Sequence, residues 1–434
     1  MSLFLKRALV AGSLFLFVAF VYQRSPVHYL ADSSYSLLMD EAILEHGSPD
    51  LMPYQVPRGE GPHFPNHGYL RTIDIVNGRL LYIYPWGGAL LSLPAVAFFD
   101  ALGLKAAPGG VYDSHNERNI QARTAAILCA AVVAIMYVTA SLFLSDGWSL
   151  AIALGAAFGT PLWSTASRSL WPQTWCVVLI SLCIWELAKA KPRPVLLGTL
   201  LAWDCFARPQ ALPIVPVVSL YLLTEFGLPA FLKYSGAVVA WGSVFAATML
   251  FFYGRLLPPV YASSTASIDF YHGLLLRSGA LLFSPSRGLL VFLPIVLFPL
   301  YLIVRYWRKL SHQRLALLAL VVIFMHFLIT ASWAVWWGGW SYGPRMLMET
   351  IPWFVLLTII GVRAFLDDGE LPIRARFATI AAAILLLAVS VAMNAPGALS
   401  PASRRWDATP NIDDHPERLW DWKHPQFLAW AQGA

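Results

Sequence analysis

The chain has 434 residues, 58% of them hydrophobic and only 12% charged, with 30 basic and 24 acidic side chains and a mean hydropathy of +0.61. Soluble domains carry roughly 25% charged residues, so this composition excludes a soluble protein, a disordered chain and a coiled coil. The net charge of +6 is spread over short loops between apolar runs, which is the distribution of membrane orientation signals and not of a nucleic-acid surface. Cys129, Cys176, Cys183 and Cys205 each lie inside an apolar run without metal-ligand spacing, so no disulfide scaffold or zinc site is expected.

In chain order, Lys6 and Arg7 precede an apolar run from Ala8 to Tyr22. With no small-x-small cleavage pattern after it, the run reads as an uncleaved first span. Further runs suited to crossing a hydrocarbon core of ~30 Å lie near Arg123–Leu144, Ser149–Thr165, Thr174–Ala188, Val195–Phe206, Ala211–Glu225, Tyr234–Tyr253, Leu289–Tyr306, Leu315–Val335, Met346–Phe365 and Phe377–Met393. The expected fold is an all-α polytopic membrane protein of about eleven spans. A cytoplasmic N-terminus puts Lys189, Lys191 and Arg193, then Arg305, Arg308, Lys309 and Arg314, then Arg363, Arg374 and Arg376 on the inside, as the positive-inside rule asks. Residues 23–122 then form a long external loop, and Pro85–Leu104, with Pro85, Pro94, Gly87 and Gly88, reads as a re-entrant or interfacial helix within it. Residues 1–394 make the transmembrane unit, and 395–434 an external tail that folds back over the loop or lies at the interface.

After the first span, Leu37, Leu38, Ile43 and Leu44 oppose Glu41 and Glu45. They predict a short amphipathic helix along the membrane surface, capped by Asp32 or Ser33 and ended by Gly47. Asp32 sits at the boundary between water and hydrocarbon, either as that cap or as a general base. Arg168, Arg208, Arg287 and Arg345 fall at outer loops. Arg287, with Ser284 and Ser286, and Arg345 each precede a span, where free N–H groups favour an anion. Glu349 and Asp204 lie one turn from Arg345 and Arg208 and are expected to pair with them. His63 and His67 lie in a segment broken by Pro62, Pro65 and Gly68, so they suit a polar substrate-binding loop better than a metal site. Trp333, Trp336, Trp337, Trp340 and Tyr342 cluster beside Arg345, and Trp340 and Tyr342 are the best sugar-contact candidates.

The acidic residue opening Asp32-x-x-Tyr35, the long loop, and the stretches Phe158–Trp163 with Arg168–Trp171, Leu282–Gly288 and Gly338–Arg345 occur in an order that resembles the GT-C glycosyltransferases. The likeness is to bacterial relatives of the protein O-mannosyltransferase and aminoarabinose transferase group. It departs from many of them in lacking a carboxylate between Ala166 and Gln173. The resemblance implies a GT-C-like bundle in a bacterial inner or plasma membrane that transfers a sugar with inversion at the external face; the missing carboxylate speaks against a metal-bridging version of the mechanism, and no cofactor or metal is expected. The donor would be a polyprenyl-phosphate sugar and the acceptor a glycan, lipid or protein hydroxyl. Asp32 would be the base; Arg287, Arg345, Ser286, Arg168 and Arg208 would bind the donor phosphate; and Trp340, Tyr342, His63 and His67 would contact sugar or acceptor. A transporter or flippase of a lipid-linked or small solute is the alternative, because intramembrane Asp204 and Glu349 also suit an ion-coupled carrier. No two-half repeat is evident, however, and a carrier has no need of a loop of about a hundred residues. A non-catalytic assembly protein of the cell envelope is a third reading.

The predicted orientation is checked by labelling single cysteines introduced at Ser48, Ser400 and Ser311 with an impermeant reagent from outside. The first two are expected to react and Ser311 to stay unlabelled; reaction at Ser311 inverts the topology.

Overall fold

The computed structural model describes residues 2–61, 64–262 and 273–431. The chain is an all-α polytopic membrane protein. Helix α1 (Leu3–Gln23) leads into a loop segment holding α2 (Ser36–His46), the strands β1 (Ile73–Val76) and β2 (Arg79–Tyr82), and α3 (Gly87–Ala101). The bundle continues through α4 (Ser114–Ala140), α5 (Asp146–Phe158), the short α6 (Pro161–Ser164), α7 (Pro172–Leu187), α8 (Pro194–Ala207), α9 (Ile214–Phe226) and α10 (Leu228–Tyr253). It is completed by α11 (Leu274–Phe283), α12 (Leu289–Phe292), α13 (Leu297–Tyr306), α14 (Gln313–Ser332), α15 (Ile351–Asp367) and α16 (Ile373–Leu399), and the tail opens with α17 (Ala402–Ala408). Each of the eleven predicted runs falls on one of these helices or helix pairs. Among the described residues seven helices are long and apolar enough on their own to cross a membrane.

In hydrocarbon every backbone polar group must be satisfied internally, and this fixes how the helices break. Between α12 and α13 the chain turns at Leu293–Pro294, where proline removes a donor. Helix α16 repairs the gap: Asn394 donates to the Phe292 carbonyl at 3.0 Å, and Ser390 Oγ accepts from Ile295 N at 3.1 Å. Close helix approach relies on small residues: a Cβ on Gly198 of α8 would stand 2.4 Å from the Tyr234 carbonyl of α10. The segment Arg345–Asp367 is the central span, 83% buried in its most apolar window. In α1, α10 and α16 that share is 11%, so most of their side chains face outward.

The basic turns share one face. Lys6 and Arg7 bridge Asp146 at 3.1 and 3.0 Å, Arg314 pairs with Glu225, and Lys309 lies 3.4 Å from Asp368. Residues 24–61 and 64–113 gather at the opposite end, termed here the loop face. Both ends of α3 return to that segment: Trp86 donates to the Tyr82 carbonyl at 3.0 Å, and Glu41 of α2 takes the amides of Ala106 and Ala107.

Helix α2 departs from its expected form. It does not lie along a surface with its acids outward; Ser36–Ala42 are all buried, Asp40 and Glu41 included. Neither Asp32 nor Ser33 caps it. The helix starts at Ser36 behind Tyr35, whose φ is +69°, and the amides of Tyr35 and Leu37 are taken by the Glu117 carboxylate of α4 at 2.9 and 3.0 Å. A carboxylate from a distant helix thus does the work of an N-cap, at a point of positive helix-dipole charge. Gly47 ends the helix as expected, with φ +64°. The hairpin β1–β2 was not anticipated, although Asn77-Gly78 between apolar alternations is its signature: both residues have positive φ, and Ile73 pairs with Tyr82 across the ladder.

Burial pushes the Glu41 carboxyl up to about 7, only partly offset by the Ala106 and Ala107 amides, and Asp40 is raised by burial and by Glu117 and Glu41. Because the folded state holds the Glu41 proton more tightly than the unfolded one, the stability it gives is full below about pH 4.5 and is lost as pH rises through about 7, and the raised Asp40 carboxyl acts in the same direction. Hydrogen exchange of α2, corrected for intrinsic rates, is expected to speed up between pH 5 and 8, and less so in Glu41→Gln. Exchange protection that is flat across this range in both proteins would refute this.

Candidate functional site

Asp32 is held from four directions on the loop face. Tyr82, delivered by the hairpin, donates to its carbonyl at 2.6 Å. The next residue, Ser33, is tied through its carbonyl to Gln121 Nε2 at 2.8 Å and through its hydroxyl to Ser169 Oγ at 3.2 Å. The fourth tie is Arg345, whose Nη1 and Nη2 both donate to Asp32 Oδ2 at 3.0 Å. The carboxylate keeps 22% of its surface exposed, whereas the Arg345 side chain keeps 5%. Among the described residues nothing donates to Oδ1.

Arg345 is fixed as firmly as its partner. Its guanidinium lies 4.2 Å from the ring centre of buried Trp171 and donates to the Gly338 carbonyl at 2.5 Å. Planar stacking together with a bidentate fork is an arginine property that lysine does not share. Gly338, at φ +72°, and Gly339, at φ +66°, shape the loop that presents this carbonyl.

Three more polar groups, none singled out in the sequence, lie close enough to Asp32 to feel its charge. Burial opposes the Arg71 charge, but Asp32, Tyr84 and Asp413 more than offset it, so this guanidinium is held above its usual range. Arg71 is 44% exposed and lies 3.9 Å from Asp413. Burial and then Asp32 push the Tyr84 phenol up, which keeps it a proton donor; Tyr261, also raised by burial, feels Asp32 on one side and Arg208 on the other.

The remaining candidates are distributed differently from the expectation. Arg208 and Glu349 form a buried ion pair with each other, joined by His326 Nε2 at 3.4 Å from Glu349. The expected pairs Arg345 with Glu349 and Arg208 with Asp204 are therefore replaced by Asp32–Arg345 and Arg208–Glu349. Asp204 is fully buried, and neither carboxylate oxygen has a hydrogen-bond partner among the described residues. Residues 345–350 form a 3₁₀ turn, in which positions four apart do not share a face, so the helical spacing argument fails there.

Arg287 is enclosed in the tail, not in the Asp32 cleft. Its nitrogens donate to the carbonyls of Trp337, Ser286 and Gly339, to Gln426 Oε1 at 2.6 Å and to Asp407 Oδ1 at 2.9 Å. The amides of Ser286 and Arg287, expected to be free for an anion, are taken by Ser284 Oγ. Arg168 is wholly buried; its guanidinium donates to the Tyr22 carbonyl and to Ser167, and its Nη1 has no partner among the described residues. Tyr342 is a packing residue with its hydroxyl on the Met393 carbonyl at 2.6 Å and its ring against Gly397, which corrects its reading as a sugar contact. Trp340 is half-buried and donates to Asn411 at 2.8 Å. His67 is exposed and bonded to Asp74 at 3.1 Å, away from these groups. His63 lies outside the described residues.

No family model matches this chain, and no curated protein matches it. Among solved structures it is similar to the crystal structure of an Archaeoglobus fulgidus oligosaccharyltransferase in complex with zinc and sulfate, at 13% identity and a TM-score of 0.39. The match takes in 91% of this chain and 57% of that one, so this chain spans a little over half the length of that neighbour.

Removing one partner of a buried ion pair leaves an uncompensated charge, whereas removing both does not. Arg208→Ala is expected to destabilise the protein by about 3–5 kcal/mol, and the double change Arg208→Met with Glu349→Leu to recover most of it. Unfolding midpoints in detergent report both; a single variant as stable as the parent would remove the pair from the list of structural supports.

Proposed function

We propose that this protein is an inverting membrane glycosyltransferase of GT-C type, moving a sugar from a polyprenyl-phosphate donor to an acceptor hydroxyl at the loop face. That face would lie outside a bacterial plasma membrane. The observation that carries the reading is the asymmetry of Asp32: Oδ2 is clamped by Arg345, while among the described residues nothing donates to Oδ1 on a partly exposed side chain. A general base needs one oxygen fixed for direction and the other within reach of the proton it takes. The order of the sequence stretches around Asp32, Arg168, Arg287 and Arg345 supports the same assignment.

In this reading the acceptor O–H gives its proton to Asp32 Oδ1 as its oxygen bonds to the anomeric carbon. The bond from that carbon to the phosphate oxygen breaks on the opposite side, inverting the centre and releasing the polyprenyl phosphate. The leaving phosphate gains negative charge, which half-exposed Arg71 would receive, with the Tyr84 phenol as a neutral donor. Arg208, Arg287, Ser286 and Arg168 are assigned structural roles instead, because their donors are engaged within the protein or enclosed. Trp340 offers an indole face for sugar C–H surface.

Asp32→Asn keeps the shape and removes the base, so transfer of radiolabelled sugar from a polyprenyl-phosphate donor is expected to fall at least roughly a hundredfold while donor binding persists. Arg71→Ala is expected to weaken donor binding instead. Near-parental turnover in Asp32→Asn would sink the catalytic assignment.

A further inference from the structure

Between α16 and the central span lies an apolar cavity of about 190 Å³, walled by Trp148 and Gly155 of α5, Phe354 and Phe365 of α15, and Ile380 and Leu387 of α16 among others. Its lining on α15 runs from Ile351 to Phe365, a length of about 21 Å at ~1.5 Å per residue. Helix α16 is fastened on both sides of this gap. Toward the loop face, Asn394 and Ser390 bond to the α12–α13 break, and Leu387 rests on Gly159, where a Cβ would stand 2.7 Å from its Cδ1. Toward the basic turns, Arg376 donates to the Asp368 carbonyl at 2.7 Å and lies 5.6 Å from the ring centre of Phe365.

The chemistry of the walls is that of hydrocarbon. Thr160 and Thr358 bring hydroxyls to the lining, and both are spent on helix carbonyls, those of Ala156 at 2.6 Å and Phe354 at 2.8 Å. Water has little to bond in such a space: an apolar cavity of about 150 Å³ in a soluble protein stays dry and takes benzene or xenon. Left empty, the cavity forfeits dispersion contacts along its length. In a bilayer the surrounding solvent is itself hydrocarbon, and the cavity opens to it beside α16, where the lining residue Ile384 keeps 62% of its surface exposed. The far wall is closed, with Phe354 and Val355 at 6% and 8%. The end toward the basic turns is cationic. The Asp368 carboxylate is turned to Lys309 at 3.4 Å, so Arg376 meets that residue's carbonyl and not its charge, and exposed Arg374 stands two positions away.

We propose that this cavity is a phospholipid site: one acyl chain of an anionic phospholipid fills the slot, drawn from the leaflet at the basic-turn end, and its phosphate rests against Arg376. The chain enters past Ile384 and lies along Phe354, Val355 and Thr358, completing the packing between α16 and the central span. Basic residues at the ends of spans collect anionic headgroups, which sets the polarity of the bound lipid. The cationic end lies at the opposite end of the bundle from Asp32, so the occupant belongs to the leaflet away from the cleft and is a lipid other than the sugar donor. The site rests on the cavity and on Arg376, and stands or falls apart from the transfer reaction.

The test uses the full chain in neutral detergent and a phosphatidylglycerol carrying a diazirine on one acyl chain, with light-induced crosslinks mapped by peptide mass spectrometry. Saturable labelling of Phe354 and Val355 is expected, because a lipid on the outer surface of the bundle does not reach these buried side chains. Ala383→Phe places a ring in the slot and is expected to cut that labelling at least roughly tenfold, the scale of about two buried methylenes. Its unfolding midpoint is expected to equal or exceed the parent's, which separates loss of the site from loss of the fold. Arg376→Gln is expected to weaken probe binding roughly tenfold, the scale of one charge-assisted hydrogen bond. Competition on the parental protein needs no variant: unlabelled phosphatidylglycerol is expected to displace the probe, and diacylglycerol to do so at least roughly tenfold less well. Crosslinks confined to the outer side of α16, or parental labelling of Phe354 and Val355 in Ala383→Phe, would overturn the proposal. So would displacement by diacylglycerol as readily as by phosphatidylglycerol, or more readily by a polyprenyl phosphate.

Discussion

A guanidinium kept from water must be given an anion, and in this protein the placement of Arg345 is the constraint on which the loop face depends. The side chain is almost wholly enclosed, pressed on Trp171, and bonded to the carbonyl of Gly338 and the carboxylate of Asp32. Each of those partners belongs to a different stretch: Trp171 caps α7, Gly338 lies within the loop after α14, and Asp32 follows α1. One cation therefore fixes three distant segments relative to each other. The hairpin, through Tyr82, and α4, through Gln121 and Glu117, then hold the Asp32 turn from behind. Because ionic and stacking requirements are met together only by a planar, permanently charged group, the geometry around Asp32 is rigid on one side and open on the other.

How much of this was legible depends on range. The spans were readable because twenty apolar residues are a local property, and even the broken α12–α13 region kept its hydrophobicity across Pro294. Asp32 and Arg345 were readable as candidates from their turn contexts, but not as partners, since they are 313 positions apart. The partner assignment for Glu349 assumed α-helical spacing through a stretch that is a 3₁₀ turn, and that for Asp204 assumed the helix runs on to Arg208, which is instead an extended C-cap. Helix α2 shows the same limit: amphipathic spacing suggested acids facing water, yet Glu41 is turned inward because the amides of Ala106 and Ala107 need an acceptor. The Asn77-Gly78 hairpin carried a sufficient local signal and was passed over, and with it Tyr82 and Tyr84. Arg71 carried none, because a lone arginine in a polar loop looks like any other.

The tail illustrates how a short polar segment contributes to a membrane bundle without a core of its own. Asp407 and Gln426 take the Arg287 guanidinium, Gln426 also donates to the Ser341 carbonyl, and Leu419 receives the Ser284 hydroxyl. Trp406 is clasped by Arg418 and the His424 carbonyl. These contacts bear on the loop between α14 and α15, the one that supplies Gly338 and Trp340. Burial of Asp407 raises its pKa to about 7 despite the pull of Arg287, so the connection has a strong hydrogen-bonded component whichever way its proton is placed.

The same lock sets an order of assembly during synthesis. Ser341 and Gln426 are separated by 85 positions, and in between the chain must thread two further membrane-crossing helices, α15 and α16. At about 5–20 residues per second that gap lasts roughly 4 to 17 seconds. For most of it Arg287 is already translated without Asp407, for all of it without Gln426, and the glycine loop beside Arg345 lacks its clamp. The nascent bundle therefore passes through a stage in which its helices are inserted and its cleft is not yet shaped, and the cleft is completed only when the last polar segment reaches the loop face.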